Sequence, residues 1–224
     1  MSYIGPPVAT RRVTMRFALA FVLLASACAS RSGTDLETYD SVRERLETKP
    51  VRLYVGSEGS EGLISARRWT SDGWVAGDTQ IKVSSGELKT SADSAGRLTL
   101  STFEVGVDSI DIPEEVFKKP AQLTDVRLKL TAAASADTTW TSDDDATTTL
   151  TADLDFSWTI KIDGNKTPLG TQHMPPVPVD VTLSGDGDVV DASIGLHASG
   201  ELWDWAGLLQ MTKLELSLSA ESTN

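Results

Sequence analysis

The feature that most constrains the fold is an alternation of apolar and polar residues with a period of two. It is longest over residues 150–162, where apolar side chains occupy every second position and Thr, Asp, Ser or Lys stand between them. Successive side chains of a β-strand point to opposite faces, so this pattern predicts a strand with one apolar and one polar face. The same period recurs over residues 123–130, 177–183, 190–198 and 214–220. The sequence therefore predicts a mainly β protein.

Turn-forming residues separate the predicted strands. Asp163-Gly164-Asn165, Gly185-Asp186-Gly187-Asp188 and Ser94-Ala95-Gly96 each stand between two alternating runs. Gly, Asn and Asp adopt the positive φ angles of tight hairpin turns, which join antiparallel neighbours. Near Thr102 and near Ser109 the apolar phase slips by one residue. A slip of this kind predicts a β-bulge that bends the strand.

The length of the alternating runs limits the possible architectures. A usual strand has about 5 or 6 residues, and several of these runs are much longer. A sheet with one apolar face must cover it by closing, by folding into a sandwich, with helices or with a bound apolar molecule. We therefore predict an antiparallel, long-stranded curled sheet, and the sequence leaves a half-barrel, a barrel and a sandwich open.

An N-terminal amphipathic helix is predicted over residues 35–48. Thr34 and Glu37 have the spacing of a reciprocal capping box, and Pro50 follows the last turn. One face of this helix carries apolar residues: Leu36, Tyr39, Val42 and Leu46. The helix is therefore expected to lie against the sheet with its other face in water.

The charge balance and the scarcity of histidine exclude several functions. The chain has 20 Lys and Arg against 32 Asp and Glu, a formal net charge of −12. Nucleic-acid-binding surfaces are basic, so no nucleic acid partner is expected. His173 and His197 are the two histidines, and neither adjoins a nucleophile motif. Zinc is disfavoured, since structural sites need about four Cys or His ligands and catalytic sites usually include at least two histidines. We expect a noncatalytic protein without metal or cofactor.

Two other clusters are interpreted first as structural. Asp143-Asp144-Asp145 offers carboxylates but lacks the spaced acids and glycine of an EF-hand loop, which favours a solvated turn over a calcium site. Trp69 and Trp74 bracket the turn Ser71-Asp72-Gly73, which predicts a cross-strand aromatic pair.

The candidate ligand-binding residues are large side chains predicted to face the interior of the sheet. They are Phe156, Trp158, Ile160, Trp203 and Trp205. The two tryptophans at 203 and 205 share a face only on a strand, and residues 202–211 fit a short helix as well as a strand. The leading hypothesis is binding of a lipid or other apolar ligand inside the curled sheet. The alternative is a structural or interaction β-sandwich that binds an envelope protein or a glycan.

The N-terminal region has the three parts of an export signal. A basic stretch, residues 11–16, precedes the apolar residues 17–27, and small residues come just before Cys28. The apolar run is shorter than the roughly 20 residues of a membrane-spanning helix. Met15 would begin a signal of more typical length. Residues 1–27 are therefore predicted to be an export signal, and the mature protein to be extracytoplasmic.

The end of this segment, Leu23-Leu24-Ala25-Ser26-Ala27-Cys28, resembles the lipobox of bacterial lipoproteins. It departs from the commonest form in having Ala25 three residues before the cysteine. The resemblance implies that Cys28 becomes the lipidated first residue and inserts into a membrane through its lipid. Ala29, rather than Asp, implies the outer membrane, with either the periplasmic or the surface face left open.

Two further expectations follow from the same region. Ala25-Ser26-Ala27 also fits ordinary signal peptidase, which would leave Cys28 as a free thiol. On the lipobox interpretation, residues 28–33 are the lipidated cysteine with its tether and residues 34–224 form one β domain.

In general architecture, a long-stranded sheet with few helices resembles periplasmic lipoprotein carriers, and that resemblance implies lipid binding.

Overall fold

Fourteen β-strands joined in one sheet and a short N-terminal helix make up the described part of the chain. This computed structural model describes residues 38–112, 117–205 and 209–223, with only the backbone of Trp205. The predicted export signal, lipidated Cys28 and capping box at Thr34 lie outside the described residues. All the strand pairs are antiparallel, which confirms the predicted fold class.

The helix α1 spans Val42–Thr48. The strands, in chain order, are β1 (Val51–Val55), β2 (Glu61–Thr70), β3 (Gly73–Ala92), β4 (Leu98–Val107), β5 (Ile110–Ile112), β6 (Ala121–Leu130), β7 (Ala134–Ala136), β8 (Thr139–Trp140), β9 (Ala146–Ala152), β10 (Leu154–Ile162), β11 (Asn165–His173), β12 (Val177–Gly185), β13 (Val190–Trp205) and β14 (Leu209–Ser222). In the described part of the chain, no helix has the length and apolar character needed to cross a membrane.

The helix begins later than the sequence predicts. Residues 38–41 are not helical, and Ser41 is the N-cap, with its Oγ accepting a hydrogen bond from the Glu44 N–H at 3.2 Å. The Glu44 carboxylate in turn accepts from the Asp40 N–H at 2.8 Å. This second Ser-x-x-Glu spacing supplies the cap, so the predicted start at residue 35 is wrong.

The acidic turn at residues 143–145 stabilises the start of α1. The Asp144 carboxylate accepts a hydrogen bond from the Val42 N–H at 3.1 Å, and the Asp143 carbonyl accepts from the Arg43 N–H at 2.9 Å. Carboxylates favour helix N-termini because the free N–H groups there carry partial positive charge. The Asp144 carboxylate and the Asp143 backbone carbonyl therefore cap the start of α1. In the described part of the chain no group of three or more acids, His or Cys could hold a metal ion.

The helix closes one end of the curled sheet. Val42 and Leu46 are fully buried, and Arg45 is also buried. The Arg45 guanidinium donates hydrogen bonds to the carbonyls of Gly187 and Asp188, in the turn between β12 and β13. These contacts replace part of the water that a buried cation loses, while Arg45 Nε is buried and has no hydrogen-bond partner among the described residues.

The hydrogen-bonded path through the sheet returns to its starting point. From β10 it runs through β6, β4, β3, β1, β14, β13 and β12 to β9. Only Asp153 separates β9 from β10 along the chain. The Met174 N–H donates to the Leu154 carbonyl at 2.8 Å and links the β10–β11 ladder to the β9–β12 ladder. The sheet is therefore curled until its two ends meet.

The apolar faces predicted from the alternation point into the curled sheet. Leu150, Leu154 and Leu196 are fully buried, and the other apolar positions of the long runs are buried with few exceptions. The run over residues 150–162 is not one strand, however. It is interrupted at Asp153, where the carbonyl accepts hydrogen bonds from the Thr131 N–H and Oγ1. The two halves then pair with different strands, β9 with β12 and β10 with β6.

The predicted turns and one predicted bulge are confirmed. Asp163 and Gly164 have positive φ between β10 and β11, and Gly96 has positive φ between β3 and β4. Near Thr102, the pairing shifts so that Ser101 becomes the extra residue of a bulge. The slip near Ser109 is not a bulge. There β4 ends, and β5 begins with a new partner, β6.

We expect Gly62→Ala to destabilise the fold by about 1–3 kcal/mol, the range for overpacking a well-filled core. A Cβ at Gly62 would lie 2.6 Å from Leu216 Cδ2, 2.8 Å from the Glu215 carbonyl and 2.8 Å from Ile81 Cγ1. Urea unfolding followed by tryptophan fluorescence measures the change. The matched control is Gly77→Ala, whose Cβ would meet no atom within 4 Å. Equal stability of the two variants would contradict this packing.

Candidate functional site

Among the described residues, strand pairing is interrupted on one side of the curled sheet, between β3 and β5. From Val83 onward β3 pairs with β4, but β4 ends at Val107. The first half of β3 is one arm of the β2–β3 hairpin, and it pairs with β2 alone. The three residues of β5 pair with β6 instead of continuing along β3. Among the described residues, β5 and the first half of β3 therefore share no pairing, which leaves a gap between them at the end of the sheet away from α1.

A mostly apolar cavity of about 240 Å³ lies behind this opening. Its lining comes from five strands, β2, β3, β5, β6 and β14. The apolar side chains at positions that alternate toward the interior are Ile64, Ala66, Val75, Ile110, Ile112, Leu123 and Leu209. The cavity is open to solvent on the side where Val75, Gly77 and Asp78 are exposed, and its apolar wall can contact part of an apolar molecule.

The inner face of β2 changes from apolar to cationic along the cavity. Ile64 is buried, and Ala66 and Arg68 are half-buried at the next two inward positions toward the hairpin turn. Arg67, Asp78 and Asp111 also line the cavity, but they stand at alternate, outward positions. Arg68 is therefore the one charged residue of this lining at an inward position.

The tip of the β2–β3 hairpin, beside the cavity, exposes large apolar side chains. Trp69, Trp74 and Val75 are 54%, 40% and 51% exposed. Trp69 and Trp74 are register partners whose ring centroids lie 5.5 Å apart, edge to face, which confirms the predicted cross-strand pair. The Arg67 guanidinium lies 4.8 Å from the Trp74 ring centroid. Tryptophan and arginine at such a tip suit contact with another surface.

Four of the five predicted binding residues are core side chains. Phe156, Trp158, Ile160 and Trp203 are at most 5% exposed. The Trp158 ring contacts Phe156 at 4.5 Å and Trp203 at 4.2 Å between centroids, both edge to face. None of the four is among the residues that line the cavity. Residues 202–205 belong to β13, and the Trp205 side chain lies outside the described atoms.

The two histidines lie on the outer surface, His173 on β11 and His197 on β13. His173 Nδ1 is 3.1 Å from Asp155 Oδ1, and His197 Nδ1 is 3.8 Å from Glu215 Oε1. All four side chains are at least one-third exposed. Exposed pairs of this kind are screened by water and contribute little.

A second, larger depression of about 740 Å³ lies on the outer face across β3, β4 and β6. It is polar, and most of its charged groups pair with one another or with neighbours. Glu104 accepts a hydrogen bond from Arg127 at 2.8 Å, and Glu87 lies 3.0 Å from Arg52. Water competes effectively in an open polar groove, so the smaller apolar cavity is the stronger candidate for a ligand site.

Sequence reasoning did not locate the cavity, although one signal pointed to it. The phase slip near Ser109 marks the place where β4 ends and the chain changes partner. We interpreted that slip as a bend within one strand. The isolated run of Ile110 and Ile112 after it is the part of the sequence that forms one wall of the cavity.

No protein-family model matches the chain, and a comparison with curated proteins also finds no match. Among solved structures, the fold is similar to the crystal structure of Ail, the attachment invasion locus protein of Yersinia pestis. The identity is 6% and the TM-score 0.38, over 77% of this chain and 97% of that chain.

Proposed function

We propose that this protein is a lipid-anchored protein of the bacterial cell envelope that binds a lipid or other apolar ligand, without catalysis, inside its curled sheet. The anchor rests on the lipobox resemblance that ends at Cys28, and the outer membrane on Ala29 after it. The ligand-binding role rests on the described domain. The two parts of the proposal are independent and can be tested separately.

The observation that carries the binding role is the apolar cavity behind the gap between β3 and β5. Its volume of about 240 Å³ has room for part of an alkyl chain. Ile64, Ile112 and Leu123 present aliphatic carbon to it. Each methylene group moved from water into such surroundings contributes about 0.8 kcal/mol. An opening in the side of the sheet provides a route for the ligand.

A second candidate function is supported by the hairpin tip. Trp69 and Trp74 form an exposed aromatic patch on the outer face of the hairpin, and such patches mark interaction sites. On this alternative the protein is an interaction module that binds an envelope protein or a glycan through the tip. The two candidates differ in where a partner would lie, inside the sheet or outside it.

Native mass spectrometry of the full chain produced in bacteria, followed by solvent extraction, tests the binding role. Cys28→Ser is the matched control, because it removes the proposed covalent lipid and leaves any molecule bound in the cavity. We expect the Cys28→Ser protein to carry an excess mass that solvent releases as a lipid. An apo mass for this variant, together with no uptake of added alkyl compounds, would refute the binding role and favour the interaction module.

A further inference from the structure

Arg68 differs from the neighbouring arginine in having no counterion. Arg67, on the outer face, donates to Gln210 Oε1 at 2.8 Å and to Glu201 Oε1 at 3.3 Å, and it lies over the Trp74 ring. Among the described residues, Arg68 makes no ion pair and no side-chain hydrogen bond. A half-buried guanidinium at the rim of an apolar cavity is thus left with five N–H donors and only solvent to satisfy them.

The acidic residues nearest in the lining do not supply the missing anion. Asp78 and Asp111 occupy outward positions on β3 and β5, and the Asp111 carboxylate accepts a hydrogen bond from Gln122 Nε2 at 2.7 Å. Across the sheet, the register partner of Arg68 on β14 is Leu209, an apolar residue. Among the described residues, the inward surface around Arg68 therefore presents apolar side chains and no carboxylate.

We propose that the cavity binds a single-chain anionic amphiphile, with its chain among Ile64, Ile112 and Leu123 and its head group on Arg68. This inference rests on the proposed function and names the class of ligand. Guanidinium groups bind carboxylate and phosphate through paired, charge-assisted hydrogen bonds. The head group is therefore a carboxylate, as in a fatty acid, or a phosphate monoester.

The dimensions of the site agree with one chain. Pockets for drug-sized ligands have about 300–1,000 Å³, and this cavity, at about 240 Å³, is smaller. It has room for part of one alkyl chain but not for the two chains of a diacyl lipid. From Ile64 to Arg68 the strand advances four residues, about 13 Å at about 3.3 Å per residue. The cationic and the buried apolar end of the site are thus separated along the direction in which an extended chain would lie.

Calorimetric titration of the full chain with laurate, dodecyl phosphate and dodecanol tests this inference. These probes share one chain length and differ in the head group. We expect the better of the two anions to bind at least about tenfold more tightly than dodecanol. Tenfold is about the smallest gain in affinity expected from a hydrogen bond to a charged group. Arg68→Gln should remove this preference and leave the dodecanol affinity unchanged. The better anion identifies the head group as carboxylate or phosphate.

The matched control is Lys82→Gln, which removes one positive charge from an outward, exposed position of β3. It should change none of the three affinities, whereas Arg68→Lys should retain part of the preference. If the anions bind wild-type protein no better than dodecanol, or if Lys82→Gln has the same effect as Arg68→Gln, the head-group inference fails and the binding role remains. If none of the three probes binds, the head-group inference and the proposed binding role both fail.

Discussion

Trp158→Ala is expected to lower the free energy of unfolding by about 3–5 kcal/mol, the range for removing a large aromatic side chain from a core. Trp158 is 5% exposed, and its ring lies between Phe156 and Trp203 with both contacts edge to face. Deleting the indole removes two aromatic contacts and leaves a cavity that neighbouring strands, held by hydrogen bonds, cannot close. Urea unfolding monitored by far-ultraviolet circular dichroism measures this loss.

Trp74→Ala is the control for this prediction. Trp74 has the same side chain and one edge-to-face partner, Trp69, but it is 40% exposed at the hairpin tip. Its loss should change the free energy of unfolding by about 1 kcal/mol or less. If Trp158→Ala lowers the free energy of unfolding by as little as is expected for Trp74→Ala, Trp158 is not a core residue.

Ala66→Trp is expected to weaken binding of an alkyl ligand by about 100-fold while the protein stays folded. Ala66 is half-buried at an inward position of β2, between Ile64 and Arg68, and its partner on β3 is Gly77. An indole there would occupy space that the ligand needs. Excluding about four methylene groups, each contributing about 0.8 kcal/mol, corresponds to about 3 kcal/mol and so to about 100-fold. Displacement of a fluorescent fatty acid measures the affinity.

Two further variants make this prediction decisive. Ser65→Trp places the same side chain one residue away on the outer face and should leave binding unchanged. Gly77→Leu fills the cavity from β3, where an added Cβ would meet no atom within 4 Å. It should reproduce the loss even if Ala66→Trp folds poorly. Full binding by both folded cavity variants would show that the ligand lies elsewhere.

The strands were predictable because each strand has one apolar and one polar face. Over residues 177–183 and 214–220 the sequence alternates strictly, and the structure buries those apolar positions. The turns were also predictable, because positive φ at Gly164 and Gly96 restricts the residue types allowed there. Local chemistry determines both features.

Features that depend on which strands become neighbours could not be predicted in this way. Asp153 interrupts one apolar run because β9 and β10 pair with different strands, although the alternation continues past it. The helix start was misplaced for a different reason. Two Ser/Thr-x-x-Glu spacings, at Thr34 and at Ser41, compete, and only tertiary contacts such as that of Asp144 with Val42 favour the second.

The candidate site illustrates the same limit. Its walls come from five strands that are far apart in sequence. The gap arises where β3 extends beyond the end of β4. Apolar alternation assigned Trp158 and Trp203 to the interior but did not distinguish a filled part of the interior from an open one. The sequence does not distinguish Arg68 from any other arginine near a hairpin turn, and only the register places it on the inner face of β2, four residues beyond Ile64.

The most direct test of the cavity as a ligand site is a crystal structure of the protein with a fatty acid that carries bromine at the end of its chain. Anomalous scattering would then locate the chain end. We expect one strong bromine peak inside the curled sheet, in contact with Ile64, Ile112 and Leu123. A peak at the exposed hairpin of Trp69 and Trp74, or no peak from a crystal grown in saturating ligand, would contradict the account.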